Sequence, residues 1–209
     1  MVAEGEAVVG DSSGRLCPET LIRTSEDDGR LGHLSSIAGY GGRMPARPTP
    51  EAIAPGQESV WDYPRPPSIV ASDEQILIRL GGVDICETNT SWRILETSHP
   101  PTYYLPRAAF SDGALVPSRG HSFCEWKGQA SYLDVVGGAK IARRAAWYYP
   151  NPEPHYAAIR GHVAVYAGLM DECLVDGERV LPQPGGFYGG WITSNVVGPF
   201  KGIPGSTGW

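Results

Sequence analysis

The stretch Ile76-Leu77-Ile78-Arg79-Leu80-Gly81-Gly82-Val83-Asp84-Ile85-Cys86-Glu87 decides the fold class. Two apolar runs rich in β-branched residues flank a Gly-Gly pair. That pattern marks a β-hairpin, because its two-residue turn needs positive φ, which glycine adopts without steric cost. Outward from it, Trp92-Arg93-Ile94-Leu95-Glu96 alternates as a half-buried strand. Thr102 to Leu105 reads as another strand after the Pro100-Pro101 break, and Val163–Tyr166 and Glu172–Val175 follow, with Asp176-Gly177 as a turn. Cys124–Lys127 and Gln129–Val136 read as one strand broken at Gly128, and Ala145–Tyr149 returns after Gly137-Gly138. Ala108–Leu115 reads as a loop or a single helical turn. One short helix is expected over Pro154–Arg160, started by Pro152-Glu153-Pro154.

Composition agrees. Glycine (27) and proline (19) account for 46 of 209 residues, which favours short strands and tight loops over a helical bundle. The expected class is therefore mainly β, a β-rich α+β domain of antiparallel sheets. Residues 1–60 are rich in Gly, Ser, Pro and charge, and read as a largely irregular N-terminal tail in which Cys17 and His33 are ordinary. Residues 61–209 read as one domain. Trp61-Asp62-Tyr63-Pro64-Arg65-Pro66-Pro67 is an extended anchor docked on it, and the glycine- and aromatic-rich segment from Pro182 onward packs back over it.

The net charge of −6 and a total of three lysines (Lys127, Lys140, Lys201) leave no basic footprint for duplex nucleic acid or an anionic membrane. Four scattered cysteines form no C-x-x-C pair, no Cys/His pair has zinc-ligand spacing, and the acidic start is unlike a signal peptide. A cytoplasmic setting with free thiols is expected. The expected partner is a small molecule, with a homodimer left open; no cofactor is named by the residues.

Glu96-Thr97-Ser98-His99-Pro100-Pro101-Thr102-Tyr103-Tyr104 is the chemical centre of the chain. A carboxylate at a strand end, three residues from an imidazole, suits a general acid/base pair, and the same two groups also suit satisfying the backbone freed by the Pro-Pro turn. Cys124 and Lys127 are the further catalytic candidates, a nucleophile and an anion- or carbonyl-binding amine, against a buried small side chain and a paired amine. Ser98, Tyr103, Tyr104, Trp147, Tyr149, Tyr188, Trp191 and Lys201 are candidates for holding a ligand, the rings by stacking on a planar group or simply as core. Gly185-Gly186 with Gly189-Gly190 lets backbone approach a ligand but lacks the strand-to-helix setting of a phosphate loop.

The motifs Leu95–Tyr104, Cys124-Glu125-Trp126-Lys127-Gly128-Gln129-Ala130, Ala146–Pro150, Val175–Glu178 and Gly186–Thr193 resemble, in that order, the bacterial and fungal domain-of-unknown-function 427 (DUF427) family. The resemblance spans roughly residues 61–209. It implies a compact β-rich domain, a small barrel or a tent of strands, and carries a nucleotidyltransferase label. Two-metal nucleotidyl transfer wants paired carboxylates near a glycine loop, and the sequence has no D-x-D pair. The leading expectation is thus a small-molecule enzyme using Glu96 and His99. The alternatives are a ligand-binding module without turnover and the nucleotidyltransferase of the label.

Overall fold

The structure, a computed structural model, describes residues 48–209. Cys17 and His33 lie outside the described residues. The strands, in chain order, begin with β1 (Glu58–Ser59), β2 (Ser68–Ser72), β3 (Ile76–Leu80), β4 (Val83–Thr88) and β5 (Ser91–Leu95). They continue with β6 (Thr102–Pro106), β7 (Leu115–Cys124), β8 (Gly128–Gly137), β9 (Lys140–Tyr148) and β10 (His162–Val165). The last are β11 (Glu172–Val175), β12 (Glu178–Arg179), β13 (Leu181–Pro182), β14 (Trp191–Ile192) and β15 (Val196–Val197).

The larger sheet has seven strands in the order β2-β5-β6-β10-β9-β8-β7, and the smaller has four in the order β12-β11-β3-β4. Pairing within both is antiparallel. Two short ribbons complete the set, β13 with β14 and the parallel pair β1 with β15. The protein is mainly β, as its composition requires. Both large sheets stay open, so the closed-barrel form of the expectation does not occur. Pro154–Ile159 forms a kinked 3-10 segment where the sequence places a short helix. Among the described residues no helix is long and apolar enough to cross a membrane.

The β3–β4 hairpin has the turn its sequence demands, with φ of +61° at Gly81 and +78° at Gly82. A Cβ on Gly81 would stand 2.0 Å from the Gly137 carbonyl oxygen, so this turn is pressed against the end of β8. Ile76, Ile78 and Leu80 alternate inward and meet Tyr103, Leu105, Leu133, Val135, Val163 and Val165 of the larger sheet. Each aliphatic side chain buried in this layer contributes roughly 1.5–3 kcal/mol relative to exposure. The other face of the larger sheet collects Ile94, Tyr104, Cys124, Tyr132, Trp147 and Tyr149. Tyr156 and Ile159 of the 3-10 segment cover it.

Two local readings change and one strand is new. The loop or helical turn expected over Ala108–Leu115 is present as the Arg107–Ala109 turn and the loop after it, and from Leu115 to Cys124 runs a ten-residue edge strand that accommodates Pro117 beside a register shift. Cys124–Lys127 is not a strand. Cys124 pairs with Gly128, and Glu125-Trp126-Lys127 form the hairpin turn between β7 and β8. β9 starts at Lys140 rather than Ala145, because its first half is largely solvent-facing and lacks apolar alternation.

Candidate functional site

The Pro-Pro turn is built from main-chain hydrogen bonds before any side chain contributes. His99 N–H donates to the Glu96 carbonyl (3.0 Å), and Ser98 sits at φ +70° in the left-handed region that side chains rarely adopt. The surrounding chain holds this conformation in place. Ser98 N–H donates to Val60 O (3.0 Å), Thr97 N–H to Pro64 O (3.3 Å), and Lys201 N–H to Ser98 O (2.8 Å). The anchor at residues 60–64 and the C-terminal segment therefore clamp the turn from two sides. Trp61 supports that clamp through Nε1–H to Pro199 O (2.9 Å) and an edge contact with Trp209, 5.5 Å between centroids.

Glu96 is only 2% exposed, and its Oε1 accepts from Arg65 Nε (3.0 Å) and Nη2 (2.5 Å). Arg65 is 45% exposed along its side chain, so the pair has one buried and one wet end. Lys201 joins this cluster. Burial and then the Arg65 cation hold its ammonium below the usual lysine range, with Glu96 pulling the other way, and its Nζ donates to Trp209 O (2.6 Å). His99, 7% exposed, directs Nδ1 at the Thr97 carbonyl (3.0 Å) and sits edge-on to Tyr188 at 5.0 Å. A carbonyl can only accept, so the proton is assigned to Nδ1 and the basic position to Nε2.

Lys127 is 2% exposed, with Nζ 5.8 Å from the Tyr156 ring centroid, in cation–π range. Tyr156 OH donates to Pro67 O (2.8 Å). Residues 65–67 thus bridge the two halves of the site: Arg65 pairs with Glu96, and Pro67 holds the ring over which Lys127 lies. Cys124 is fully buried in the same aromatic cluster, the setting of a packed small side chain. Tyr104 accepts from Trp147 Nε1 (3.1 Å) and lies 6.3 Å from Tyr149.

Not all the candidates meet. Tyr103 and Trp191 face the opposite side of the sheet, 5.2 Å apart, within the layer shared with the smaller sheet. There Tyr103 OH donates to Glu74 (2.8 Å), and burial raises its phenol far above the usual range. Adjacent strand residues point to opposite faces, so Tyr103 and Tyr104 cannot line one pocket. Three participants escaped the sequence reading: Arg65, Tyr156 and Tyr166, the last tilted against Trp147 with ring centroids 4.5 Å apart. The basic residue inside the proline-rich anchor was the available signal for Arg65.

Two clefts open nearby. One, about 350 Å³, lies between the Ala167–Leu169 turn and the glycine-rich loop that carries Tyr188. The other, about 520 Å³ and shallower, lies beside the Lys127 turn and is edged by Trp126, Glu153 and Tyr156. Among the described residues no three His, Cys, Asp or Glu side chains group closely enough to hold a metal ion.

A family model described as a domain of unknown function, DUF427, matches residues 68–176, just over half the chain. The chain belongs to the DUF427 family. No curated protein matches it. The matched DUF427 stretch contains Glu96, His99, Cys124, Lys127, Trp147 and Tyr156, while Arg65, Tyr188 and Lys201 come from the flanks that close over it.

Proposed function

We propose that this DUF427 protein is a small-molecule enzyme in which His99 transfers a proton, with Glu96 beside it and Lys127 orienting an anionic or carbonyl group of the substrate. One observation carries the reading: Glu96, His99 and Lys127 are 2%, 7% and 2% exposed. Taking an ammonium or carboxylate out of water costs several kcal/mol even when it is partnered, so packing alone is a poor reason to keep these groups inside. Such groups are found where chemistry needs them. The Nδ1–Thr97 hydrogen bond fixes the ring so that Nε2 is the nitrogen that takes or returns the proton. The Arg65–Glu96 ion pair sets a fixed dipole at the same turn.

The test uses the full chain. Small carboxylates, phosphates and carbonyl compounds are screened for a rise in Tm, and each hit is followed for conversion by NMR. A hit is expected to be converted by the wild type and about 100-fold more slowly by His99→Asn, the scale of lost acid–base catalysis. Its affinity should change little in that variant and fall about 10-fold or more in Lys127→Met, a loss of roughly 1.4 kcal/mol. Equal turnover by His99→Asn would overturn the proposal. Hits that bind but are never converted would make the protein a binding module.

A further inference from the structure

The cleft between the Ala167–Leu169 turn and the glycine-rich loop shares the Tyr188 ring with His99, and its other walls take no part in the proton transfer just described. Its volume of about 350 Å³ lies within the range of small-molecule sites. We infer that it binds an uncharged, planar ring, seated against Tyr166 and Tyr188. The inference rests on the walls of this cleft alone and is independent of the chemistry assigned to His99.

Four features of the walls carry it. First, no residue lining the cleft is charged; Leu169, Pro182 and Pro184 supply apolar surface and the two tyrosines supply rings. A charged ligand would lose hydration there without gaining a side chain of opposite charge. Second, the one side-chain amide in the lining is already committed. Gln183 Nε2 donates to Lys201 O (2.8 Å) and its Oε1 accepts from Gly190 N (3.2 Å), so it fixes the loop instead of reading a ligand.

Third, the wall is preformed. A Cβ on Gly189 would stand 2.1 Å from the Trp147 ring, and one on Gly190 would stand 2.4 Å from Gln183 Oε1 and 2.7 Å from Pro100 O. The loop is therefore packed onto its support, and little ordering is left for a ligand to impose. Tyr166 is likewise backed by Trp147 at 4.5 Å, so an incoming ring would extend an existing aromatic pair. Fourth, Gly168 lines the cleft without a structural need to be glycine. Its φ is not left-handed, and an added Cβ would meet only Pro182, at an ordinary 3.4 Å. Its missing side chain leaves space in the cleft.

A matched set of probes tests this at pH 7: 2-naphthol (planar and neutral), 2-naphthoate (planar and anionic) and decahydro-2-naphthol (neutral and not planar). Binding to the full chain is measured by calorimetric titration and saturation-transfer NMR. 2-Naphthol is expected to bind about 10-fold or more tightly than either analogue. Gly168→Leu, which fills the cleft, and Tyr166→Ala, which removes a wall, should each weaken it about 10-fold or more, a difference of roughly 1.4 kcal/mol. Circular dichroism and Tm establish that Gly168→Leu is folded. The inference is overturned if 2-naphthol fails to bind up to its solubility, if either analogue binds as tightly, or if folded Gly168→Leu binds 2-naphthol as the wild type does.

Discussion

The two faces of the seven-stranded sheet are made by the same strands and differ in what covers them. One lies against the four-stranded sheet, and its layer is mostly aliphatic: Leu105, Leu133, Val135, Val163 and Val165 meet Ile76, Ile78 and Leu80. The other is covered by turns and loops; it carries Tyr104, Tyr132, Trp147 and Tyr149, and Tyr156 of the covering 3-10 segment packs on them with Lys127 above its ring. A sheet offers a regular apolar surface that aliphatic side chains fill closely. Irregular chain brings backbone carbonyls that need donors, and a ring with a hydroxyl handle supplies one at Pro67 while the Thr97 hydroxyl supplies another to the Tyr63 carbonyl. The first arrangement gives stability. The second leaves clefts and buried charge, and the candidate chemistry lies on it.

The sharpest way to break this comparison is to truncate each face and measure urea unfolding. Leu105→Ala, in the aliphatic layer, should cost about 2–5 kcal/mol. Tyr156→Phe, which removes only the hydroxyl bonded to Pro67, should cost about 0.5–1.5 kcal/mol. Equal losses would mean that the loop-covered face is as much a part of the stabilising core as the other. The next effect is alkaline. Burial pushes the Cys86 thiol up to about 12 from 9.0 and raises Cys173 as well, with a smaller contribution from Cys86. The unfolded chain then releases its thiol protons first, so stability is intact below pH 9 and falls as pH rises above it. The slope should be about 1.4 kcal/mol per pH unit for each thiol. Cys86→Ala should start lower, from its cavity, and fall less steeply; an unchanged slope would contradict the assignment.

The smallest effect is acidic and comes from a carboxylate within β8. Asp134 lies where the β8–β9 register shifts. Burial alone would raise its carboxyl, but the Arg144 N–H (2.8 Å) and then the Arg143 guanidinium (2.6 Å) outweigh that and hold it below 3.8. The stability it contributes is present above the ordinary carboxylate value and lost as pH falls through the lower folded value. Asp134→Asn should therefore flatten the acid limb below about pH 4, measured by urea titration across pH. An acid limb as steep as the wild type's would refute it.

Much of the frame was legible because its signals are local. The Gly81-Gly82 and Asp176-Gly177 turns take the positive φ that their residues allow, and the strands around them alternate. The long β7–β9 ribbon was harder. Its exposed stretches carry proline, glycine and arginine, and lack the apolar alternation that a half-buried strand imposes. At the candidate site, the sequence marked Glu96, Ser98 and His99 because they crowd one turn. The partners of that turn are non-local: Arg65 is 31 residues from Glu96, and Lys201 closes over Ser98 from the far end of the chain. Strand alternation separates Tyr103 from Tyr104, and only the packing of the second sheet decides which of them is core.

Ring chemical shifts of the full chain carrying 13C-labelled tyrosine show which face of the seven-stranded sheet takes a ligand, because tyrosines report from both faces. With a ligand that raises Tm, shifts are expected at Tyr188 and at Tyr104, Tyr149 or Tyr156, and none at Tyr103. Shifts at Tyr103 with those four unchanged would place the ligand between the sheets and contradict that expectation.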